Sequence, residues 1–273
     1  MYSLIQFRAM FTKSPLYYCL GCLYLSWACG AGEKKPQSPK VDRELRINLA
    51  ELLIQAKAYD EAVPIVKKAL NKHPKDARLY YLLGVTLRDK GVYSEAEKMF
   101  RKGIKLNPKL SVNFNALGLL LSMQKRYKEA KTSLHYAIEL DPKVPRYHNN
   151  LGFVLYLMQQ YSEAIEAYRM AIQLAPSQQR VYVNLAFALA AVHKDEEAMR
   201  MLNQVLSKAE VSNNLGLIYE QRGQYQKALA AYQKALEMNP RLKDAQYNQD
   251  QLRIKLSQII KKNSKLPSNP SAQ

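Results

Sequence analysis

The sequence predicts an all-α fold, an α-solenoid of about six helix hairpins followed by a helix that caps the C-terminal end. Two observations predict it. Four columns of residues recur with a spacing of 34, and each repeat contains two stretches with the 3.6-residue apolar period of an amphipathic helix. A period of this length is typical of stacked repeats rather than of one globular core. The columns are Ala50, Gly84, Gly118, Gly152 and Ala186; Ala62, Ala96, Ala130, Ala164 and Ala198; Tyr59, Tyr93, Tyr127 and Tyr161; and Pro74, Pro108, Pro142 and Pro176.

The residues before the repeats have the composition of a targeting segment. Basic Arg8 and Lys13 precede an apolar run over residues 16–28, and no acidic residue occurs before Glu33. This layout is similar to a secretory signal peptide over residues 1–28. The run has 13 residues, fewer than the roughly 20 that span a bilayer, so a transmembrane helix is not favoured. Met10 is an alternative start to Met1, and it leaves a shorter leader ahead of the same run.

Cys29 directly follows the apolar run and resembles the acylated cysteine of a bacterial lipoprotein, with residues 29–41 as a flexible tether. Ser26 and Trp27 depart from that motif, which has an aliphatic and a small residue at these positions. The alternatives are an ordinary cleaved signal peptide and an uncleaved anchor or organelle presequence. Acylation would place the chain on a lipid surface, held there by its anchor.

Each repeat is predicted to be a hairpin of two helices that ends at a proline. Gly84 and its equivalents must lie close to the second helix, and Ala96 and its equivalents close to the first, because larger side chains would push the backbones apart. Proline ends the second helix because it cannot continue one. Tyr161 and its column are expected to form a wedge in the hairpin turn. The predicted units are residues 42–74, 75–108, 109–142, 143–176, 177–208 and 209–242.

The fourth unit resembles the consensus of the tetratricopeptide repeat at nearly every signature position. The matching residues are His148, Leu151, Gly152, Leu155, Tyr161, Ala164, Tyr168, Ala171 and Pro176. The resemblance covers roughly residues 42–240 and rests on a specific motif. It implies a binding scaffold in which the first helix of each hairpin lines a concave side.

The sixth unit departs from the period. Gly216 follows Ala186 by 30 residues rather than 34, and the missing residues fall between Leu206 and Ser212. Asp195 occupies the position of the tyrosine column in the fifth unit. We therefore expect a tighter or kinked stacking angle between the fifth and sixth units.

Residues 243–260 are predicted to form the capping helix, with apolar Tyr247, Leu252 and Leu256 among polar residues. Residues 261–273 are predicted to be a disordered tail.

The composition favours a binding protein over an enzyme. The chain has 41 basic and 23 acidic residues, a net charge of +18, which favours anionic partners such as lipid head groups or acidic protein faces. Nucleic-acid binding is not expected, because no recognition motif accompanies the charge. Phosphate-loop, serine-nucleophile and zinc-protease motifs are absent from the sequence, the four histidines are scattered, and the cysteines, Cys19, Cys22 and Cys29, all lie in the leader. No enzymatic activity, metal or cofactor is therefore expected.

The predicted binding surface consists of first-helix residues that alternate with the buried ones. Its centre is apolar and aromatic, which suits an amphipathic helix or an extended apolar peptide. These residues are Tyr81, Val85, Arg88, Asn115, Leu119, Met123, Asn149, Phe153, Tyr156, Leu157, Val183, Phe187 and Ala191.

Two further patterns of the family bear on the ligand. Some tetratricopeptide cochaperones hold acidic chaperone tails with a basic residue and an asparagine one helical turn apart, and that clamp is absent from the sequence. A partial column of asparagines is similar to a ladder that binds peptide backbone in other members, although these side chains could instead bridge adjacent helices. Its members are Asn48, Asn150, Asn184 and Asn214.

Three functions fit these observations. The first is an adaptor lipoprotein at the bacterial outer membrane or its periplasmic face, similar to tetratricopeptide lipoproteins of type IV or Tad-type pilus assembly that assist a secretin. The second is an envelope adaptor for cell-wall hydrolases. The third is a eukaryotic or organellar scaffold with a presequence or anchor. Because one repeat scaffold serves many functions, the sequence leaves the partner open.

Overall fold

The computed structural model describes residues 39–263, and every regular element within that range is an α-helix. The thirteen helices of this range are α1 (Pro39–Gln55), α2 (Tyr59–Lys72), α3 (Ala77–Asp89), α4 (Tyr93–Leu106), α5 (Ser111–Met123), α6 (Tyr127–Leu140), α7 (Pro145–Leu157), α8 (Tyr161–Leu174), α9 (Gln179–Ala191), α10 (Asp195–Val205), α11 (Lys208–Gln221), α12 (Tyr225–Met238) and α13 (Lys243–Asn263).

The chain divides into two compact units between Leu45 and Arg46, and the second unit holds the end of α1 and all the later helices. Within it, α3 packs on α4, α5 on α6, α7 on α8, α9 on α10 and α11 on α12, and each of these pairs is an antiparallel hairpin. Successive hairpins also pack on one another, as the prediction of a solenoid requires. One apolar core extends from Ile47 to Ile218, and a smaller cluster contains Ala228, Tyr232 and Leu252.

The small residues of the first helices allow close crossing inside the hairpins, which confirms that prediction. A Cβ atom added at Gly84 would lie 2.5 Å from the Phe100 ring, and one at Gly152 would lie 2.7 Å from the Tyr168 ring. Both distances are far below van der Waals contact. In the second helices, Ala62, Ala96, Ala130, Ala164 and Ala198 are all buried.

The turn inside each hairpin depends on one residue with left-handed backbone geometry. These residues, with φ between 60° and 84°, are Lys57, Gly91, Lys125, Gln159, His193 and Gly223. The tyrosine column follows two residues later and begins the second helices, so its members lie in the first turn of a helix rather than within the hairpin turn itself. Tyr161 packs its ring edge-on against Tyr156, with 5.4 Å between the ring centroids.

The connection between α10 and α11 differs from the others. Four residues, such as Ala175–Gln178, separate α8 from α9, whereas only Leu206 and Ser207 separate α10 from α11. Compared with its equivalents, α10 ends three residues early, the loop is two residues shorter and α11 gains one residue before its glycine, a net loss of four (3 + 2 − 1). α10 and α11 also pack less extensively than helices at the other junctions.

The ends of the described region differ slightly from the predicted boundaries. α1 begins at Pro39, inside the predicted tether, and α13 continues to Asn263, beyond the predicted end at residue 260. α13 packs on α11 and α12 through buried Leu252, while Tyr247 is exposed. Cys29 and the predicted signal peptide lie outside the described residues. None of the described helices combines the length and the apolar character that a membrane span requires.

Candidate functional site

The candidate site is a cavity of about 540 Å³ formed by first helices of consecutive hairpins. Its walls come from α3, α5 and α7 and from the start of α9, so one ligand placed there would contact four repeats. The lining residues are Tyr81, Val85, Arg88, Asn115, Ala116, Leu119, Arg146, Asn149, Asn150, Gln178, Gln179, Arg180 and Val181.

Half of the predicted binding surface lines this cavity. Those residues are Tyr81, Val85, Arg88, Asn115, Leu119 and Asn149. The structure places Met123, Phe153, Tyr156, Leu157, Val183 and Phe187, and also Ala191, outside the cavity lining. The cavity is therefore more polar than the apolar groove that the sequence predicts.

Packing explains why several predicted residues do not line the cavity. Val183 and Phe187 are half-buried and pack against the main core, whereas Met123 and Leu157 are exposed. Phe153 is half-buried. The hydroxyl of Tyr156 accepts a hydrogen bond from Gln221 Nε2 at 2.5 Å, so α7 contacts α11 across the intervening repeat.

The asparagines bridge adjacent first helices. Asn150 Nδ2 donates to Asn115 Oδ1 at 2.7 Å, and Asn184 Nδ2 donates to Asn149 Oδ1 at 3.0 Å. Asn214 instead donates to the Glu210 carbonyl oxygen in its own helix, at 2.9 Å. Of the two interpretations of the asparagine column, the structure thus shows bridging for Asn150 and Asn184. Because each bridge uses the oxygen of Asn115 or Asn149, the NH₂ groups of these two side chains remain available to a ligand.

Sequence reasoning missed the arginines at the start of α7 and α9. Arg146 and Arg180 line the cavity together with Arg88. Burial raises the pKa of the Tyr81 hydroxyl above its ordinary value, while the charges of Arg146 and Arg88 act in the opposite direction, which shows that both lie near this hydroxyl. The signal was present in the sequence, because Arg146 and Arg180 are separated by one 34-residue period.

The site offers hydrogen-bond donors, positive charge and apolar contacts, which are the means of binding rather than of covalent chemistry. Among the described residues, no group of three or more histidines, cysteines and acids is placed to hold a metal ion.

Two family models match the sequence, and both describe the tetratricopeptide repeat. One matches residues 145–178 and 209–242. The other matches residues 34–85 and 53–120. Neither match includes the hairpin α9–α10 beyond the start of α9, the one that carries Asp195 and the shortened second helix. No curated protein matches the sequence.

Several solved structures share the fold. A protein from a functional characterisation of Pseudomonas aeruginosa PilF is 22% identical, with a TM-score of 0.62 over 78% of this chain and 98% of its own. YrrB, described as a tetratricopeptide repeat protein with an unusual peptide-binding site, is 21% identical, with a TM-score of 0.53 over 68% of this chain and 97% of its own. MamA from Desulfovibrio magneticus is 24% identical, with a TM-score of 0.53 over 60% of this chain and 93% of its own.

Proposed function

The chain carries tetratricopeptide repeats, and on this premise we propose that it is a non-enzymatic scaffold that binds an extended segment of a partner protein between its first helices. Tetratricopeptide repeat proteins are generally interaction scaffolds without enzymatic activity. The repeat fold itself therefore indicates protein binding, and the partner must be inferred from the site.

The observation that carries this proposal is the open cavity of about 540 Å³ across α3, α5, α7 and α9. Its volume falls in the range of ligand-binding clefts. An extended segment suits it, because Leu119 and Val85 provide apolar contacts and the asparagine NH₂ groups can donate to peptide carbonyls. A helix satisfies its own backbone groups and would leave these donors unused.

Replacing Leu119 by Asp tests the cavity. Leu119 is half-buried in its wall, so a carboxylate there places a charge against the apolar part of a bound segment. We expect partner capture, measured by crosslinking and mass spectrometry in cells of the source organism, to fall by at least about tenfold, which is the effect of about 1.4 kcal/mol. Helicity and melting should change little.

Met170→Asp is the matched control. Met170 lies on the second helix α8, is 42% exposed and does not line the cavity. Equal loss of partner capture in both variants would contradict the proposed site, and a large loss of helicity in Leu119→Asp alone would show that Leu119 belongs to the core.

For the location and pathway, we propose a lipid-anchored adaptor at the bacterial outer membrane or its periplasmic face that takes part in pilus or secretin assembly. Cys29 at the end of an apolar run after basic residues supports the anchor. The likeness to the PilF structure supports the pathway, since that chain is covered almost completely.

Cys29→Ser tests the anchor. We expect this variant to leave the membrane fraction, and the intact mass of the unaltered protein to correspond to a chain that begins at an acylated Cys29. An unmodified chain that retains its leader would overturn the lipoprotein proposal and favour an organellar scaffold. Recovery of wall hydrolases rather than a secretin would overturn only the pathway.

A further inference from the structure

We propose that the cavity recognises a carboxylate, so that the partner segment is an acidic extended peptide whose aspartate or glutamate side chain lies between Arg146 and Arg180. This inference rests on the proposed function and specifies its ligand. It also departs from the apolar ligand that the sequence predicts.

The charge of the cavity wall is the first observation. Three guanidinium groups line the cavity, from Arg88, Arg146 and Arg180, and no carboxylate does so among the described residues. Asp89 balances Arg88, with 2.8 Å between Nε and Oδ1. Arg146 forms no ion pair within residues 42–261, and its guanidinium lies 5.5 Å from the ring centroid of Tyr147. At least one positive charge of the wall is therefore available to an anion.

The position of the arginines within their helices is the second observation. The first turn of an α-helix carries partial positive charge and normally favours acidic residues. The second helices follow this rule, with Glu95, Glu129 and Glu163 in the first turns of α4, α6 and α8. In contrast, α7 and α9 have no acid in their first turns and place Arg146 and Arg180 there.

An arginine at a helix N-terminus is unfavourable by itself, because its charge adds to the positive end of the helix dipole. Here this occurs at two adjacent helices whose starting residues line the same cavity. Both effects raise the positive potential at one place, and a bound carboxylate would relieve the repulsion at both helices. A guanidinium can also hold a carboxylate through two parallel hydrogen bonds.

The amides beside the arginines indicate that the carboxylate belongs to a peptide. Asn149 lies one turn after Arg146 on α7, and its oxygen already accepts a hydrogen bond from Asn184. Its NH₂ group can therefore donate to a backbone carbonyl next to the bound acidic residue. A free small anion would leave this donor and the Leu119 side of the cavity unused.

A selection from a random library tests the inference without a known partner. The full-length chain is immobilised, and a displayed library of random twelve-residue peptides is selected on it and, in parallel, on the double variant Arg146→Gln/Arg180→Gln. The matched control is Lys68→Gln/Lys102→Gln, which removes the same charge from exposed lysines outside the cavity. Synthetic copies of the recovered peptides are then titrated by fluorescence anisotropy.

We expect the unaltered chain and the lysine control to enrich peptides with aspartate or glutamate, and the arginine variant to bind these at least about tenfold more weakly. An equal loss in both double variants would overturn the inference, because general surface charge would then explain the binding. Selection of neutral peptides that are sensitive to Leu119→Asp but not to the arginines would overturn it while leaving the proposed function intact. If no peptide is recovered from any variant, both proposals are wrong.

Discussion

The junction α8–α9 and the junction α10–α11 join the same kind of hairpin in two different ways. The first uses the four residues Ala175–Gln178, including Pro176, and its helices pack extensively. The second uses only Leu206 and Ser207, and its helices pack little. Directed polar contacts replace the lost packing. Arg222 forms two hydrogen bonds with the carboxylate of Asp195 and one with the Ala190 carbonyl, and Gln221 reaches Tyr156.

This difference shows which part of a repeat is adaptable. The crossing inside each hairpin keeps its geometry, because a glycine or alanine faces a large side chain of the partner helix. The contact between hairpins can change when polar side chains at the new positions compensate. The expected kink between the fifth and sixth units therefore corresponds to a junction with less apolar packing and more polar contacts.

Gly216→Val should have the largest effect and should reveal whether the short junction is a weak point. The Tyr232 ring leaves no space for any Cβ at this position, so we expect a loss of about 2 to 3 kcal/mol in unfolding free energy. The core of this last hairpin, with Ala228, Tyr232 and Leu252, is separate from the main core. Hydrogen exchange should therefore accelerate in α11, α12 and α13 while α3 to α8 stay protected.

Gly152→Val provides the comparison, because Gly152 faces Tyr168 inside the main core. In this variant, exchange should accelerate across both neighbouring hairpins. If Gly216→Val instead unfolds the whole array in one step, the short junction transmits stability as well as the regular ones.

The junction α4–α5 contains a defect that the other regular junctions lack. Asn113 is fully buried, and neither its Nδ2 nor its Oδ1 has a hydrogen-bond partner among the described residues. Gly103 leaves the space for it, since an added Cβ there would lie 2.6 Å from Asn113 Oδ1. At the junction α8–α9 the equivalent positions hold Ala171 and Val181.

The double variant Gly103→Ala/Asn113→Val should therefore stabilise the protein by about 1 to 2 kcal/mol, because an unsatisfied buried amide is removed. Urea denaturation followed by circular dichroism measures the change. Gly103→Ala alone should destabilise, since it forces the added methyl group against Asn113. A loss of stability in the double variant would mean that the Asn113 amide is hydrogen-bonded in solution.

The sequence predicts the repeat array well because its signal is periodic. Gly84, Gly152 and the alanine column each report a close helix crossing, and the same reason applies in every unit. The site was predicted less completely. Tyr81 and Leu119 follow from helical alternation, but Phe153 and Val183 do not line the cavity, because whether an alternating residue is accessible depends on how successive hairpins stack. The bond between Tyr156 and Gln221 spans 65 residues and leaves no local pattern.

Ser207→Ala should weaken the short junction. Ser207 begins α11 with a capping box, in which its hydroxyl accepts from the Glu210 N–H and the Glu210 carboxylate accepts from the Ser207 N–H. α5, α7 and α9, which follow four-residue loops, have no side-chain cap. We expect a loss of about 1 kcal/mol by urea denaturation. Ser177→Ala, in the regular loop before α9, should change stability far less, and equal effects would show that the capping box gives the short junction no special support.

Asp195→Asn should have the smallest effect and a defined pH dependence. Hydrogen bonds from Arg222 hold the pKa of the Asp195 carboxyl below its ordinary value. A carboxyl with a lowered folded-state pKa contributes stability above its unfolded-state pKa, near 3.9, and this contribution is lost as the pH falls through the folded-state pKa. Because the Asp195 side chain is 57% exposed, we expect a loss of only about 0.5 kcal/mol at neutral pH.

The unfolding free energies of Asp195→Asn and the unaltered chain should converge in acid, once Asp195 is protonated in both folded and unfolded states. Glu196→Gln is the control, since it removes an exposed acid from the same helical turn without touching Arg222. A difference for Asp195→Asn that persists unchanged in acid would show that the hydrogen-bond geometry at this position, rather than the charge of the pair, stabilises the short junction. An identical pH dependence for Glu196→Gln would attribute the effect to the dipole of α10 instead of to the contact between hairpins.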